Sequence, residues 1–354
     1  MLPEEIVRRI LSYAIRADDA YCRCAFPEKT VTCAWFSHGR TVAIGSLQSA
    51  VYIVRSRDGA TVRTIEVEEV VDSVACSARG VLAVAEYCGR VTLWREDAEH
   101  SIGRIEGIPF GFQTVVFDKG GEALVVGTGA FDNNTVSVWR AEDCALIVRW
   151  NVGDLLRSID WAADGATLAT CSNQKSVQLW GVRRDAREVN AAGSLDCAAY
   201  VDIVRFVPID RSKLVAALAS SGRMLLWVGV GTASPRIASV FESSILDFSV
   251  SRSAECLAFN TYGDKFAAAW ARNTSVKVWE DIETAPRVTT LWGTAIGEIH
   301  ACAFSPTDPG LLCVVSYEGK AQFWRSGEWS VEAHPHFSPR QKKKAVAAFC
   351  AAIR

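Results

Sequence analysis

One stretch of the chain, Leu156–Trp180, constrains the fold more than any other. It contains three short runs of apolar and β-branched residues. The first run ends at Trp161, the pair Asp164-Gly165 marks the turn that follows it, and the third run ends at Trp180. Runs of this length between turn residues predict three antiparallel strands. Three such strands cannot bury both faces of their own sheet, so this unit needs neighbouring copies of itself.

The same pattern occurs seven times along the 354 residues. The first strands of the copies are expected to end at Phe36, Cys76, Phe117, Trp161, Phe206, Phe259 and Phe304. The third strands are expected to end at Val54, Trp94, Trp139, Trp180, Trp227, Trp279 and Trp324. Successive third-strand ends lie between 40 residues (Val54 to Trp94) and 52 residues (Trp227 to Trp279) apart. A period of about 40–45 residues with four strands is typical of a propeller blade. The sequence therefore predicts an all-β fold, a seven-bladed β-propeller with short N- and C-terminal helices.

A closed ring needs a strand that completes its last sheet, because an open sheet edge pairs readily with other chains. Residues Tyr21–Phe26 precede the first copy, and we expect them to pair with Ala321–Trp324 in the seventh sheet. Phe241–Arg252 is expected to be an insertion on the rim. The nearly uncharged run Leu214–Pro235 is interrupted by Ser220–Arg223, which predicts two buried strands and no transmembrane segment.

The segments Thr135–Trp139, Ser176–Trp180 and Ser275–Trp279 resemble the third strand of WD-repeat β-propellers. The resemblance covers about Tyr21–Glu332 and implies a rigid platform for protein–protein interaction. The chain departs from the family pattern, since no Asp follows the strand-ending Trp and no Gly-His pair opens a copy. The family's Asp/His/Ser/Trp hydrogen-bond network should therefore be largely missing. We expect the stability to rest on apolar stacking between blades.

The N-terminal segment 3–16 has helical spacing, with Ile6 and Ile10 on one apolar face. Leu2–Leu11 resembles the opening of an F-box, which implies docking onto a Skp-type adaptor of a ubiquitin ligase. Alternatively, this amphipathic helix packs on the rim of the propeller. We expect it to occupy residues 1–19, ahead of the propeller at residues 20–332.

The C-terminal residues 333–354 are expected to form a short basic helix or tail. Lys342, Lys343 and Lys344 either bind an acidic partner or anionic lipid, or form a solvated chain end.

A polar residue stands four positions before the predicted end of every first strand, between apolar neighbours. These seven residues are Thr32, Asp72, Gln113, Arg157, Asp202, Glu255 and His300. The first strand of a propeller blade lines the central channel, so the seven residues are expected to form a polar ring at one channel mouth. Its acids suit a basic peptide or loop of a partner protein. Alternatively, the ring only solvates the channel opening.

Few features of the sequence suggest catalysis. The five histidines lack the spacing of a zinc site, and no phosphate-binding loop or nucleophile elbow is present. The net charge of -2 does not favour binding to nucleic acid. Twelve cysteines without a CxxC pair, together with a start that does not resemble a signal peptide, indicate an intracellular protein with reduced thiols.

We therefore expect a non-enzymatic interaction scaffold without a cofactor, a subunit of a cytoplasmic or nuclear protein complex. Two alternatives stay open. One is a substrate receptor of a cullin–RING ubiquitin ligase that uses the F-box-like start, and the other is an enzyme with its active site in a propeller pocket.

Overall fold

The computed structural model describes residues 14–15, 22–130, 134–219, 221–242, 254–270, 274–283, 286–292 and 297–326. Two short strands, β1 (Ala14–Ile15) and β2 (Cys22–Ala25), precede the first repeat. The next twenty-seven strands of the described residues follow in seven groups, β3 to β29, which confirm the predicted all-β, seven-bladed propeller.

The bounds of these strands follow in chain order. The first three sheets contain β3–β6 (Thr30–Trp35, Thr41–Ser46, Ala50–Arg55, Thr61–Glu66), β7–β10 (Val71–Cys76, Val81–Glu86, Arg90–Arg95, Gly103–Ile105) and β11–β14 (Phe112–Phe117, Ala123–Gly129, Thr135–Arg140, Leu146–Asn151). The next two contain β15–β18 (Leu156–Trp161, Thr167–Ser172, Ser176–Arg183, Glu188–Asp196) and β19–β22 (Val201–Val207, Asp210–Leu218, Arg223–Val228, Arg236–Glu242). The last two contain β23–β26 (Ala254–Phe259, Lys265–Trp270, Ser275–Glu280, Arg287–Trp292) and β27–β29 (Ile299–Phe304, Leu311–Ser316, Lys320–Arg325).

Strand β2 completes the seventh sheet, as predicted. It pairs antiparallel with β29, with Cys22 opposite Phe323 and Ala25 opposite Lys320. The first strands of neighbouring sheets contact one another around the whole ring, including β27 with β3. The ring is thus closed by a strand from the other end of the chain, which satisfies a sheet edge that would otherwise be open.

The predicted N-terminal helix is wrong at its C-terminal end. Ala14 and Ile15 form the strand β1, which pairs in parallel with Thr290 and Leu291 of β26. The outer edge of a sheet offers unpaired backbone groups, and pairing with them overrides the local helical spacing. Residues 1–13, with Ile6 and Ile10, lie outside the described residues, as do the predicted C-terminal helix and Lys342, Lys343 and Lys344.

Two further predictions concern the fifth sheet. The nearly uncharged run Leu214–Pro235 contributes to β20 and β21, which confirms the two predicted strands. Of the insertion predicted over Phe241–Arg252, only the end of β22 belongs to the described residues. Among the described residues, no helix has the length and apolar character needed to cross a bilayer.

An apolar cluster fills each of the seven interfaces between adjacent sheets. The second strand of a sheet is buried on both faces, and β8 is an example. Leu82 and Val84 pack against the first sheet, whereas Ala83 and Ala85 pack against the third. Alternate residues of a strand point to opposite faces, so one strand contributes to two cores. No sheet is stable without its neighbours, as the repeat pattern predicted.

The hydrogen-bond network of tryptophans that the WD-repeat resemblance implies is present only in part. The indole N–H groups of Trp94, Trp139 and Trp180 donate to the hydroxyls of Thr92, Ser137 and Thr170 at 2.8–2.9 Å. Within the described residues, the buried indole nitrogens of Trp161 and Trp270 have no hydrogen-bond partner. The eleven cysteines of the described residues are all free thiols. That apolar stacking between the sheets carries most of the stability stays a prediction.

Candidate interaction surface at the channel mouth

All seven inner strands begin on the same side of the ring, since the sheets share one strand order. We call this side the mouth face. It carries the loops between the second and third strands of each sheet and those that lead to the next sheet. The opposite side, which we call the base face, carries the loops between the first and second and between the third and fourth strands.

Six inner strands begin with a β-bulge, in which one residue is left out of the pairing with the second strand. Five of the predicted ring residues occupy this bulge position, namely Asp72, Arg157, Asp202, Glu255 and His300. A bulge frees a side chain from the regular alternation and re-aims it. Five residues from different sheets therefore share one backbone environment at the mouth face.

Thr32 and Gln113 occupy different positions from the other five. In the first sheet the bulge residue is Val31, because the inner strand ends at Trp35 and not at Phe36. Thr32 lies one residue further along, and its hydroxyl accepts a hydrogen bond from the N–H of Val74 at 3.3 Å. Gln113 pairs in regular register with Thr128.

The Gln113 side chain is fully buried and organises the loop before β11. Its Nε2 donates to the carbonyls of Pro109 and Gly111 at 2.8 and 3.1 Å, and its Oε1 accepts from the Thr128 hydroxyl at 3.1 Å. These hydrogen bonds satisfy the buried amide and fix the loop that presents Phe110. Gln113 therefore stabilises a loop of the mouth face, although its own side chain is buried below that face.

Two of the acids tie one sheet to the next. The Oδ2 atom of Asp72 accepts a hydrogen bond from the N–H of Gln113 at 2.9 Å. The Oδ2 atom of Asp202 accepts one from the N–H of Ala254 at 3.2 Å. Burial raises the pKa of Asp72 to about 6, and the hydrogen bond from Gln113 opposes this rise. One oxygen of each carboxylate thus accepts a hydrogen bond that links two neighbouring sheets of the ring.

The remaining acid, Glu255, lies in a concentration of negative charge. Burial raises the pKa of Glu255, His300 opposes the rise, and the charges of Glu298 and Asp202 add to it. We call Asp202, Glu255 and Glu298 the acidic sector. Like charges held close together in a half-buried site create a local field that attracts a cation.

The edge of the acidic sector is aromatic. The His300 ring stacks on Tyr317 with centroids 4.9 Å apart. The Lys29 ammonium group lies 4.4 Å from the centroid of the Tyr317 ring. The Tyr317 ring therefore makes a cation–π contact with Lys29 of the same chain, and a lysine or arginine of a partner makes contacts of this kind with aromatic rings.

Arg157 is exposed, and its Nε donates to the Asn173 Oδ1 at 3.1 Å. It belongs to the fourth sheet, and the acidic sector belongs to the fifth to seventh. The predicted ring is therefore unevenly charged around the channel.

Several exposed aromatic residues on the mouth face were missed by the sequence analysis, and three of them lie close together in sequence or space. Tyr87 and Phe110 meet edge to face with centroids 4.7 Å apart and are 43% and 64% exposed. Phe112, two residues further, is 48% exposed. Tyr87 and Phe110 lie in loops, and Phe112 is the first residue of β11. The pair of aromatics around Gly111 was the only signal, since exposed aromatic residues in or beside loops often serve binding.

The described residues contain no group of three or more His, Cys, Asp or Glu side chains that could hold a metal ion. Residues 151–181 match the family model "WD domain, G-beta repeat". No curated protein matches the sequence.

Among solved structures, the chain is similar to the β-propeller domain of Cps50 (Swd1) from Myceliophteria thermophila. The identity is 14% and the TM-score is 0.70, and the similarity covers 85% of this chain and 97% of that one. The chain therefore has the fold of a seven-bladed β-propeller, and one of its segments, residues 151–181, matches a WD repeat.

Proposed function

We propose that this protein is an interaction scaffold in an intracellular complex and that its mouth face binds a basic segment of a partner protein. Propellers of the WD-repeat type generally bind other proteins without catalysing a reaction. The observation that carries the proposal is the acidic sector, in which Asp202, Glu255 and Glu298 stand close enough for their charges to interact.

Glu255 is half-buried, and the charges of Glu298 and Asp202 raise its pKa, so a cationic side chain placed beside Glu255 stabilises its ionised form. The exposed Tyr87–Phe110 pair on the same face offers contact to an apolar residue of the partner. A lysine-rich or arginine-rich segment with an apolar anchor fits this chemistry.

The test compares variants that change charge without changing shape. The double variant Glu255→Gln/Glu298→Gln leaves Asp202 in place, because that residue holds the N–H of Ala254. Fluorescence anisotropy with a labelled peptide of alternating lysine and glycine should show binding to the unchanged protein. The double variant should bind roughly tenfold more weakly, and added salt should weaken binding to the unchanged protein.

The matched control is Glu99→Gln, an exposed acid in the loop between β9 and β10 on the base face. It removes a charge of the same kind and should leave the affinity unchanged. Equal binding by the unchanged protein and the double variant would mean that the acids only solvate the channel opening, and the proposal would fail.

The adaptor-docking alternative depends on Leu2–Leu11, which lies outside the described residues. Deleting residues 1–13 leaves β1 in place and separates the two functions. A scaffold keeps its partners after this deletion, whereas a receptor for a Skp-type adaptor loses one.

A further inference from the structure

The loops of the base face bring several arginines together between neighbouring sheets. A cleft of about 750 Å³ opens there between the second, third and fourth sheets. Five arginines and three acids (Glu122, Glu142 and Asp185) line it, and Asp118 and Asp143 pair with two of the arginines from beside the cleft. The arginines are Arg79, Arg95, Arg140, Arg184 and Arg187.

Arg184 is held in place at one side of the cleft. Its Nη1 donates to the buried carboxylate of Asp118 at 2.9 Å and its Nη2 to the carbonyl of Gly165 at 3.1 Å. Its guanidinium group also lies 5.8 Å from the centroid of the Trp161 ring. Because the Asp118 carboxylate already pairs with it, Arg184 forms a fixed part of the cleft wall and its charge is not available to a partner.

The other arginines differ in how far they are engaged. Arg79 bonds the carbonyl of Gly120 and pairs with Glu122, and Arg140 pairs with Asp143. Arg95 and Arg187 are exposed and make no ion pair with any other residue that the structure describes. The cleft therefore has two cationic side chains available for a partner.

The cleft also has apolar surface between its charges. Ile102, which is 46% exposed, and Ile147 both line it. A site for a single compact anion would converge its cations on one point, whereas these arginines come from three sheets with isoleucines among them. This pattern complements an extended segment that alternates acidic and apolar side chains.

We infer that the cleft binds an acidic segment of a second partner protein, with its carboxylates on Arg95 and Arg187 and its apolar side chains on Ile102 and Ile147. The scaffold then holds a basic segment on one face and an acidic segment on the other. Because the two sites lie on opposite faces and differ in charge, they bind independently of each other.

The probe is a labelled peptide of alternating glutamate and leucine, titrated into the full chain and followed by anisotropy. The variant Arg95→Gln/Arg187→Gln should weaken its binding about tenfold, since two charge-assisted contacts are lost and neither arginine supports the fold. Arg236→Gln, an exposed arginine on the outer strand β22, is the matched control and should leave the affinity unchanged.

Three outcomes overturn the inference. One is that the acidic peptide binds equally well to the double variant. Another is that inorganic phosphate at millimolar concentration displaces it completely, which assigns the cleft to a small anion. The last is that sedimentation shows self-association that the double variant abolishes, which assigns the cleft to a second copy of this chain. The lysine peptide should bind the Arg95→Gln/Arg187→Gln variant normally, so failure at one face is distinguished from failure at the other.

Discussion

Replacing Asp72 by asparagine removes a charge that the folded ring has to desolvate. Burial raises the pKa of this carboxyl from 3.8 to about 6, although it accepts a hydrogen bond from the N–H of Gln113. The folded protein therefore binds a proton more readily at Asp72 than the unfolded chain does. Stability is greatest below the unfolded pKa and falls as the pH rises from about 4 to about 6.

The size of the effect follows from the pKa. A rise of about 2 units corresponds to about 3 kcal/mol. Water at the channel mouth screens part of this electrostatic cost. When screening halves the cost, about 1.5 kcal/mol remains. The amide oxygen of asparagine still accepts from the N–H of Gln113 but carries no charge. Asp72→Asn should therefore raise the free energy of unfolding by about 1.5 kcal/mol at pH 8 and by almost nothing at pH 4.

Urea denaturation followed by tryptophan fluorescence at these two pH values measures the difference. Asp97→Asn, in the exposed loop between β9 and β10, serves as the control and should leave both curves unchanged. A loss of stability in Asp72→Asn at pH 8 would refute the reasoning, because it would mean that the hydrogen bond to Gln113 needs the ionised carboxylate.

Four further predictions follow from the packing and the mouth face. Gln113→Ala should cost about 2–3 kcal/mol of unfolding free energy, because it leaves Pro109, Gly111 and Thr128 without their buried partner; the partly exposed Gln178→Ala should cost less in the same urea titration. Leu82→Ala should cost about 2–5 kcal/mol by opening a cavity between the first two sheets, and a midpoint within experimental error of the unchanged protein would contradict that packing. Deleting residues 1–25 should expose the edges of β26 and β29 and cause association visible by light scattering, whereas a monomer of normal stability would show that β1 and β2 are dispensable. Affinity for the lysine peptide should fall as the pH is lowered through the raised pKa of Glu255, since the protonated carboxyl attracts no cation, and an affinity constant with pH would exclude Glu255 from the contact.

The architecture was predictable because it repeats. Seven copies of the pattern, each ending near an aromatic residue, predict seven blades. The extra strand Tyr21–Phe26 follows from the need to close a ring. The inner-strand bulges were not predictable, because a bulge depends on the register between two strands and one strand does not reveal it. In the first copy two aromatics, Trp35 and Phe36, stand side by side, and only the pairing of Trp35 with Val42 shows which of them ends the strand.

The surfaces were harder to predict than the fold. Polar residues at the start of the inner strands could be found because they recur with the repeat. The exposed Phe110 lies in a loop with no counterpart in the other copies, so periodicity says nothing about it. Arg95, Arg140 and Arg184 come together only because three sheets stand side by side, and their separation in sequence hides the cleft. Helical spacing near Ile15 was misleading, because pairing with the edge of β26 competes with it.

Hydrogen–deuterium exchange of the full chain, with and without the lysine–glycine peptide, tests most directly whether the mouth face binds a basic segment. We expect the peptide to slow exchange in residues 254–256 and 297–300, which carry Glu255, Glu298 and His300, and to leave the loops of the base face unchanged. Slower exchange confined to the base face, or no change at saturating peptide, would contradict the account.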